Sequence, residues 1–315
     1  MSAGLLILIK FTLLSGIVLM YVALGGCFSE HSGVINIALE GVMVIGGLFG
    51  ILTLCCIPKN LPSFLIVTIS ILVAMISGMI YSSLLAFASI NLKADQTIGG
   101  TALNILATAI ALVVVKHYNS TITTNNAQSP KLNYDNSLFI FNVGPFTLNV
   151  FIILGIVLLV LSYFVLYKTR FGLHLRACGE HPQAADSVGI NVYKMRWAGV
   201  LISGALAGIG GMAYIVPSVQ EWNFEVGVGG MGFLALAVMI FGKWNPGYIF
   251  LGSLFFAVFK SLANIYDSTF LASFHLTKEI YNMMPFIASL VVLMFTSKNS
   301  KAPKAEGIPY DKGMR

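Results

Sequence analysis

Residues 168–196 read KTRFGLHLRACGEHPQAADSVGINVYKMR, a basic and polar island between two long apolar runs. The run before it, Leu148–Tyr167, carries no charge, and neither does Leu61–Asn91 further upstream. Charge-free runs of about 18 residues or more can cross roughly 30 Å of hydrocarbon as helices. Only helices and closed barrels satisfy every backbone group in lipid, and these runs lack the period-two alternation of barrel strands. The chain therefore reads as all-α, a polytopic integral membrane protein with a soluble loop.

Composition agrees. Charged residues make up 10% of the chain and apolar ones 57%, against about 25% charged in a soluble domain. The 31 glycines suit close helix–helix approach. Spans are placed at about 4–25, 33–57, 62–90, 97–116, 148–167, 197–217, 229–242, 246–266 and 279–297. That makes about nine, with a range of about eight to ten, because 229–242 is short and Gly46, Gly47 and Gly50 can break the second span. The expected organisation is one transmembrane domain over 1–297, containing the loop 168–196, and then a disordered basic tail over 298–315.

The net charge of +6 comes from 18 Lys and Arg against 12 Asp and Glu. It reads as a positive-inside bias rather than a nucleic-acid surface. Lys168, Arg170, Arg176, Lys194 and Arg196 lie in the loop, and Lys298, Lys301, Lys304, Lys312 and Arg315 in the tail, so both are expected in the cytoplasm. Alternation then places 58–61, 117–147, 218–228 and 267–278 outside, with Asp135, Glu221, Glu225 and Asp267, and the N-terminus outside as well. The first 25 residues lack a basic n-region and an A-x-A site, which reads as an uncleaved span. The loop 117–147 holds too little apolar surface to fold alone. Cys27, Cys55, Cys56 and Cys178 show no metal spacing and read as packing residues.

Within the island, Pro182 suits the first turn of a helix, Gln183–Asp186 continue it, and Gly189 ends it. A short helix lying across the membrane face, flanked by Arg176 and Arg196, can act as a lever for a soluble motor. An ordinary basic loop that only sets topology would look the same. Here a resemblance adds to the residues. The segment resembles the cytoplasmic coupling loop of bacterial ABC importer permeases, in which an Ala-Ala pair (Ala184, Ala185) precedes a glycine. FSEHSGVINIALEGVMVIGG (28–47) is similar to the signature of the ribose, branched-chain amino-acid and nucleoside permease superfamily. LKADQTIGGTALNILA (92–107) and GGMGFLALAVMIFGKWNPGYIFLGSLFFA (229–257) fit its nucleoside-type branch best. The likeness covers most of 25–265.

The resemblance implies a bacterial cell-membrane importer subunit that moves nucleosides inward by alternating access. Its coupling helix would use Arg176, Gly179, Pro182, Ala184, Ala185, Asp186 and Gly189. Implied partners are a second permease subunit in a heterodimer, two ATP-binding subunits and an extracellular substrate-binding lipoprotein. ATP and magnesium would sit on the partners, with no cofactor or metal on this chain. The sequence itself carries no G-x-x-x-x-G-K-[ST] loop, since Gly242-Lys243 is followed by Trp244. No catalytic constellation suggests an enzyme.

Polar residues inside the spans are the other candidates. Glu40 follows Asn36 by one helical turn, and an acid within a span faces a partner or a wet cavity. It either lines a path or caps the NIALEG turn. Gln96, Gly100 and Asn104 recur every fourth residue, with Thr101 beside them. Such amides suit either a sugar or nucleoside in passage or hydrogen bonds between packed spans. Gly204 and Gly208 form a small-xxx-small pair for close packing. Lys93 and Asp95 read as an inner-loop charge pair, and Lys260 as a residue that snorkels near the outer end. Two alternatives stand. The cargo could be a simple sugar or a branched-chain amino acid, or the chain could be a stand-alone secondary transporter, for which only Glu40 offers a buried ion site.

Overall fold

The charge-free runs become helices because a backbone surrounded by apolar side chains has only its own groups to bond. The structure, a computed structural model, describes residues 3–58, 60–122, 129–143, 146–266, 277–296 and 301–313. The helices are α1 (Ala3–His31), α2 (Leu39–Cys56), α3 (Ser63–Ala86, extended by a π-turn over Phe87–Asn91), α4 (Gln96–Ile122), α5 (Val150–Lys168), α6 (Arg170–Glu180), α7 (Pro182–Ser187), α8 (Val192–Ile215), α9 (Met231–Phe241), α10 (Pro246–Asn264) and α11 (Lys278–Thr296). Seven of them, α1–α5, α8 and α10, are long and apolar enough to span a membrane. Among the described residues, two shorter apolar segments, Met231–Phe241 and Glu279–Val292, lie where the sequence places its seventh and ninth spans.

The second span differs from its expected bounds. It starts at Leu39, because the chain turns at Gly33 (φ +91°) and is not regular again until Leu39. The expected outer loop 267–278 with Asp267, and the tail residues Lys298 and Arg315, fall wholly or largely outside the described residues.

α8 is the hub and packs on α1, α2 and α3. Its glycines explain the close approach. A methyl group at Gly208 would collide with the carbonyl of Ala74, and one at Gly204 with the Ser82 side chain. Gly204 and Gly208 therefore serve packing, as expected. On the other side of the bundle the helices face lipid: Ile80 on α3, Ile105 on α4 and Val160 on α5 are all exposed.

Two segments hold more structure than their composition indicated. The loop before α5 forms β1 (Lys131–Asn133), β2 (Ile140–Val143) and β3 (Phe146–Asn149). β1 pairs antiparallel with β4 (Glu221–Asn223), and Lys131 bridges Glu221 at 2.8 Å. The Tyr134 hydroxyl donates to the Ile215 carbonyl, and the Asn136 amide to that of Val216. The loop thus folds by borrowing a partner strand and the end of α8, not alone.

The tail is the second correction. Expected to be disordered, residues 301–313 instead lie in turns against α6, α7 and α8, with Tyr310 packed on Cys178, Ala185 and Val192. The buried surface comes from Pro303, Ala305 and Tyr310, which are spaced among basic and polar residues.

Candidate functional site

The island 168–196 is built as a helix pair. The Thr169 hydroxyl caps α6 by accepting from the Gly172 amide, and His181 Nδ1 caps α7 by accepting from Ala184 N–H. Pro182 occupies the first turn of α7, where its missing N–H costs nothing. Gly189 adopts φ +86° and its N–H returns to the Asp186 carbonyl, which ends the helix where the sequence placed the stop. The island is thus two helices, α6 and α7, rather than one.

α6 is fixed to the bundle. Gly179 lies so close to the carbonyl of His31, at the end of α1, that any side chain would collide with it. Arg176 stacks 4.8 Å over the Tyr167 ring. Ala185 is buried, whereas Gln183, Ala184, Ser187 and Val188 are exposed. So Gly179, Pro182 and Ala185 anchor the pair, and Ala184 belongs to its open face. Asp186 is half-buried and lies near the Tyr310 hydroxyl.

Arg196 flanks the island in sequence, but it is buried, 1% exposed. Its Nη1 donates to the Ile308 carbonyl at 2.9 Å, which joins α8 to the tail. Lys93 pairs with Asp311 at 2.6 Å, not with Asp95, whose carboxylate caps α4 by accepting from the Thr97 and Ile98 amides. Glu30, at the end of α1, accepts from the Trp244 indole and meets the Glu306 carboxyl of the tail. Burial raises the Glu306 carboxyl above its ordinary range. Sequence reading missed Tyr310, Glu306 and Asp311 as partners, because their contacts lie more than a hundred residues away along the chain.

The five candidate path residues divide. Gln96 and Asn104 share a face of α4, as their spacing predicts, and that face meets the turn between α1 and α2. Gln96 Oε1 accepts from Ile35 N–H at 2.7 Å. Asn104 Oδ1 accepts from Gly41 N–H at 2.8 Å while its Nδ2 donates to the Ile37 carbonyl at 2.9 Å. Asn36 Nδ2 donates to Ser203 Oγ at 2.9 Å. Thr101 stands apart: it is exposed, and its hydroxyl donates back to Thr97 and Ile98 of its own helix. Asn36 Oδ1 and Gln96 Nε2 are buried without a hydrogen-bond partner.

Glu40 has a defined task. Its carboxylate accepts from the amides of Gly230 at 2.8 Å and Gly232 at 2.6 Å, and from Phe233. These are orphan donors at the start of α9, where the helix dipole also favours negative charge. The chain enters α9 through Gly227, Gly229 and Gly230, all at positive φ, so the helix starts abruptly. Glu40 thus caps a helix, but α9 rather than the NIALEG turn. Lys260 is 9% exposed and attracts Glu40, so it does not snorkel.

A bundle of apolar helices around a glycine-rich hub, with a polar helix pair beside it, defines a multi-span membrane protein. Residues 8–294 match the family described as branched-chain amino acid transport system / permease component, and the chain belongs to that family. Among its relatives is the nucleoside ABC transporter permease protein NupC of Lactococcus lactis, 38% identical over 93% of each chain. The guanosine ABC transporter permease protein NupQ of Bacillus subtilis is 38% identical over 98% of each. A second L. lactis protein, the nucleoside ABC transporter permease protein NupB, is 23% identical over 77% of this chain and 68% of its own.

Proposed function

We propose that this chain is one of two membrane-spanning subunits of an ABC importer that moves nucleosides into the cell. The near full-length 38% identity to permeases named for nucleoside and guanosine transport carries the reading. The chain itself hydrolyses no ATP and holds no cofactor; ATP and magnesium belong to two separate ATP-binding subunits. The loop 168–196 and the tail face the cytoplasm, in line with their basic charge. An extracellular substrate-binding lipoprotein delivers the cargo. That L. lactis has both NupB and NupC, each similar to this chain, favours a heterodimer of two different permeases.

The geometry supports a specific transmission. An ATPase pair that closes on ATP pushes α7 through its exposed residues Gln183, Ala184 and Ser187. α6 passes the push to α1, because Gly179 rests on the backbone of His31 with no compliant side chain between them. α8 passes it to α1, α2 and α3. The cargo path then opens between the two permeases, first outward and then inward. Gln96 Nε2 and Asn36 Oδ1 are buried and bond no group of the described residues, and the spans must part as the path opens before they meet a nucleoside in transit. Since a ligand shifts such an equilibrium only by its differential affinity, tight binding belongs on the delivery protein.

Uptake of tritiated guanosine into cells lacking and carrying the whole complex tests the reading. Complex-dependent uptake is expected, with competition by unlabelled nucleosides and none by ribose or leucine. Competition by ribose or leucine alone would reassign the cargo. Gradient-driven flux through the lone chain would make it a secondary transporter.

A further inference from the structure

Resting on the importer reading above, we propose that the C-terminal tail forms the second wall of the surface on which the ATP-binding subunit docks. The tail is held firmly on one side. Ala305 N–H donates to the Gly179 carbonyl at 2.8 Å, Gly307 N–H to the Gly33 carbonyl at 3.2 Å, and Arg196 to the Ile308 carbonyl. The Tyr310 ring stands edge-on to Tyr193 with centroids 5.3 Å apart. Lys93 holds Asp311. The other side of the tail is open, with Lys304, Pro309 and Lys312 exposed.

Between α7 and this strap runs a groove of about 340 Å³, lined on one side by Gln183, Ala184 and Ser187 and on the other by Tyr310, Asp311 and Lys312. The area available settles the footprint. α7 has six residues, so it is about 9 Å long and shows a partner a face on the order of 100 Å². A stable protein–protein interface takes about 800 Å² from each side. A partner that grips α7 must therefore cover what lies beside it, and the tail lies directly across the groove. The occupant is thus the same ATP-binding subunit that the exposed face of α7 serves.

A photoreactive phenylalanine analogue placed singly at Gln183 and at Lys312, both exposed, tests this in the full importer in membranes. Crosslinks to the ATP-binding subunit from both positions are expected. A crosslink from 183 with none from 312 would overturn the composite surface and leave the importer reading standing. Absence from both would remove the importer reading, and this inference with it. A second arm measures ATP-binding subunit retained on the purified permease pair. Removing residues 308–315, or Tyr310→Ala, should weaken retention by at least about tenfold, with the sister permease still bound. Retention equal to wild type in both variants would contradict the proposal.

Discussion

In the membrane interior, Glu40, Gln96 and Asn104 direct their side chains at backbone groups of neighbouring segments, so each holds an irregular piece of chain in place. On α7 and the tail the balance shifts: backbone bonds, apolar packing and the anchors Arg196 and Lys93 do the holding, and other polar side chains such as Gln183, Ser187 and Lys312 stay open. The difference follows from the solvent on each side. Lipid offers no hydrogen bonds, so buried polar groups must find them within the protein. A water-facing surface that awaits a protein partner can leave its polar groups to water until the partner replaces it.

The largest effect that would sharpen this contrast is at the anchor between the two regions. Gly179→Val forces a side chain against the His31 carbonyl, and transport should fall below detection while the protein still inserts in the membrane. Wild-type uptake would separate α6 from the transmission. Glu40→Ala should come next. It leaves the amides of Gly230 and Gly232 without acceptors, a cost of about 1–3 kcal/mol for each buried group. The melting temperature and yield of the purified complex should drop, and Glu40→Gln should recover part of both. Asn104→Ala should cost about 1–3 kcal/mol by orphaning Gly41 N–H and the Ile37 carbonyl. Thr101→Ala should stay within about 0.5 kcal/mol, since its hydroxyl bonds only its own helix. Equal losses at 101 and 104 in thermal unfolding would break the distinction drawn between them.

The smallest effect concerns pH. Burial raises the Glu306 carboxyl, and it faces the Glu30 carboxyl, with Arg196 on the neighbouring α8 close to the same Gly33 turn. A carboxyl whose value is raised on docking favours the docked tail below the ordinary carboxylate range. That contribution is lost as pH rises through the raised value. Limited proteolysis of the tail should therefore speed up as pH rises from acid toward neutral. Glu306→Gln should flatten the profile, whereas a pH-independent cleavage rate in the wild type would remove the carboxyl from tail docking.

How much of this was legible in the sequence depended on distance along the chain. The helices, the stop at Gly189 and the shared face of Gln96 and Asn104 follow from local period and turn chemistry, which twenty residues suffice to show. Glu40 was legible as a functional acid, but not as a cap for α9, because the first of the amides that donate to it lies 190 residues away. The β1–β4 pair escaped detection because three-residue strands have no period to read. The tail escaped because the residues that bury there, Pro303, Ala305 and Tyr310, are scattered among basic and polar ones and form no apolar run.

The central claim is that the open face of α7 looks into the cytoplasm, where an ATPase grips it. A Ser187→Cys variant, with Cys55 and Cys56 replaced by serine, reports this through a membrane-impermeant maleimide. Labelling is expected in inverted vesicles and not in intact cells, and protection when the ATP-binding subunits are present. Labelling of intact cells from outside would contradict the account.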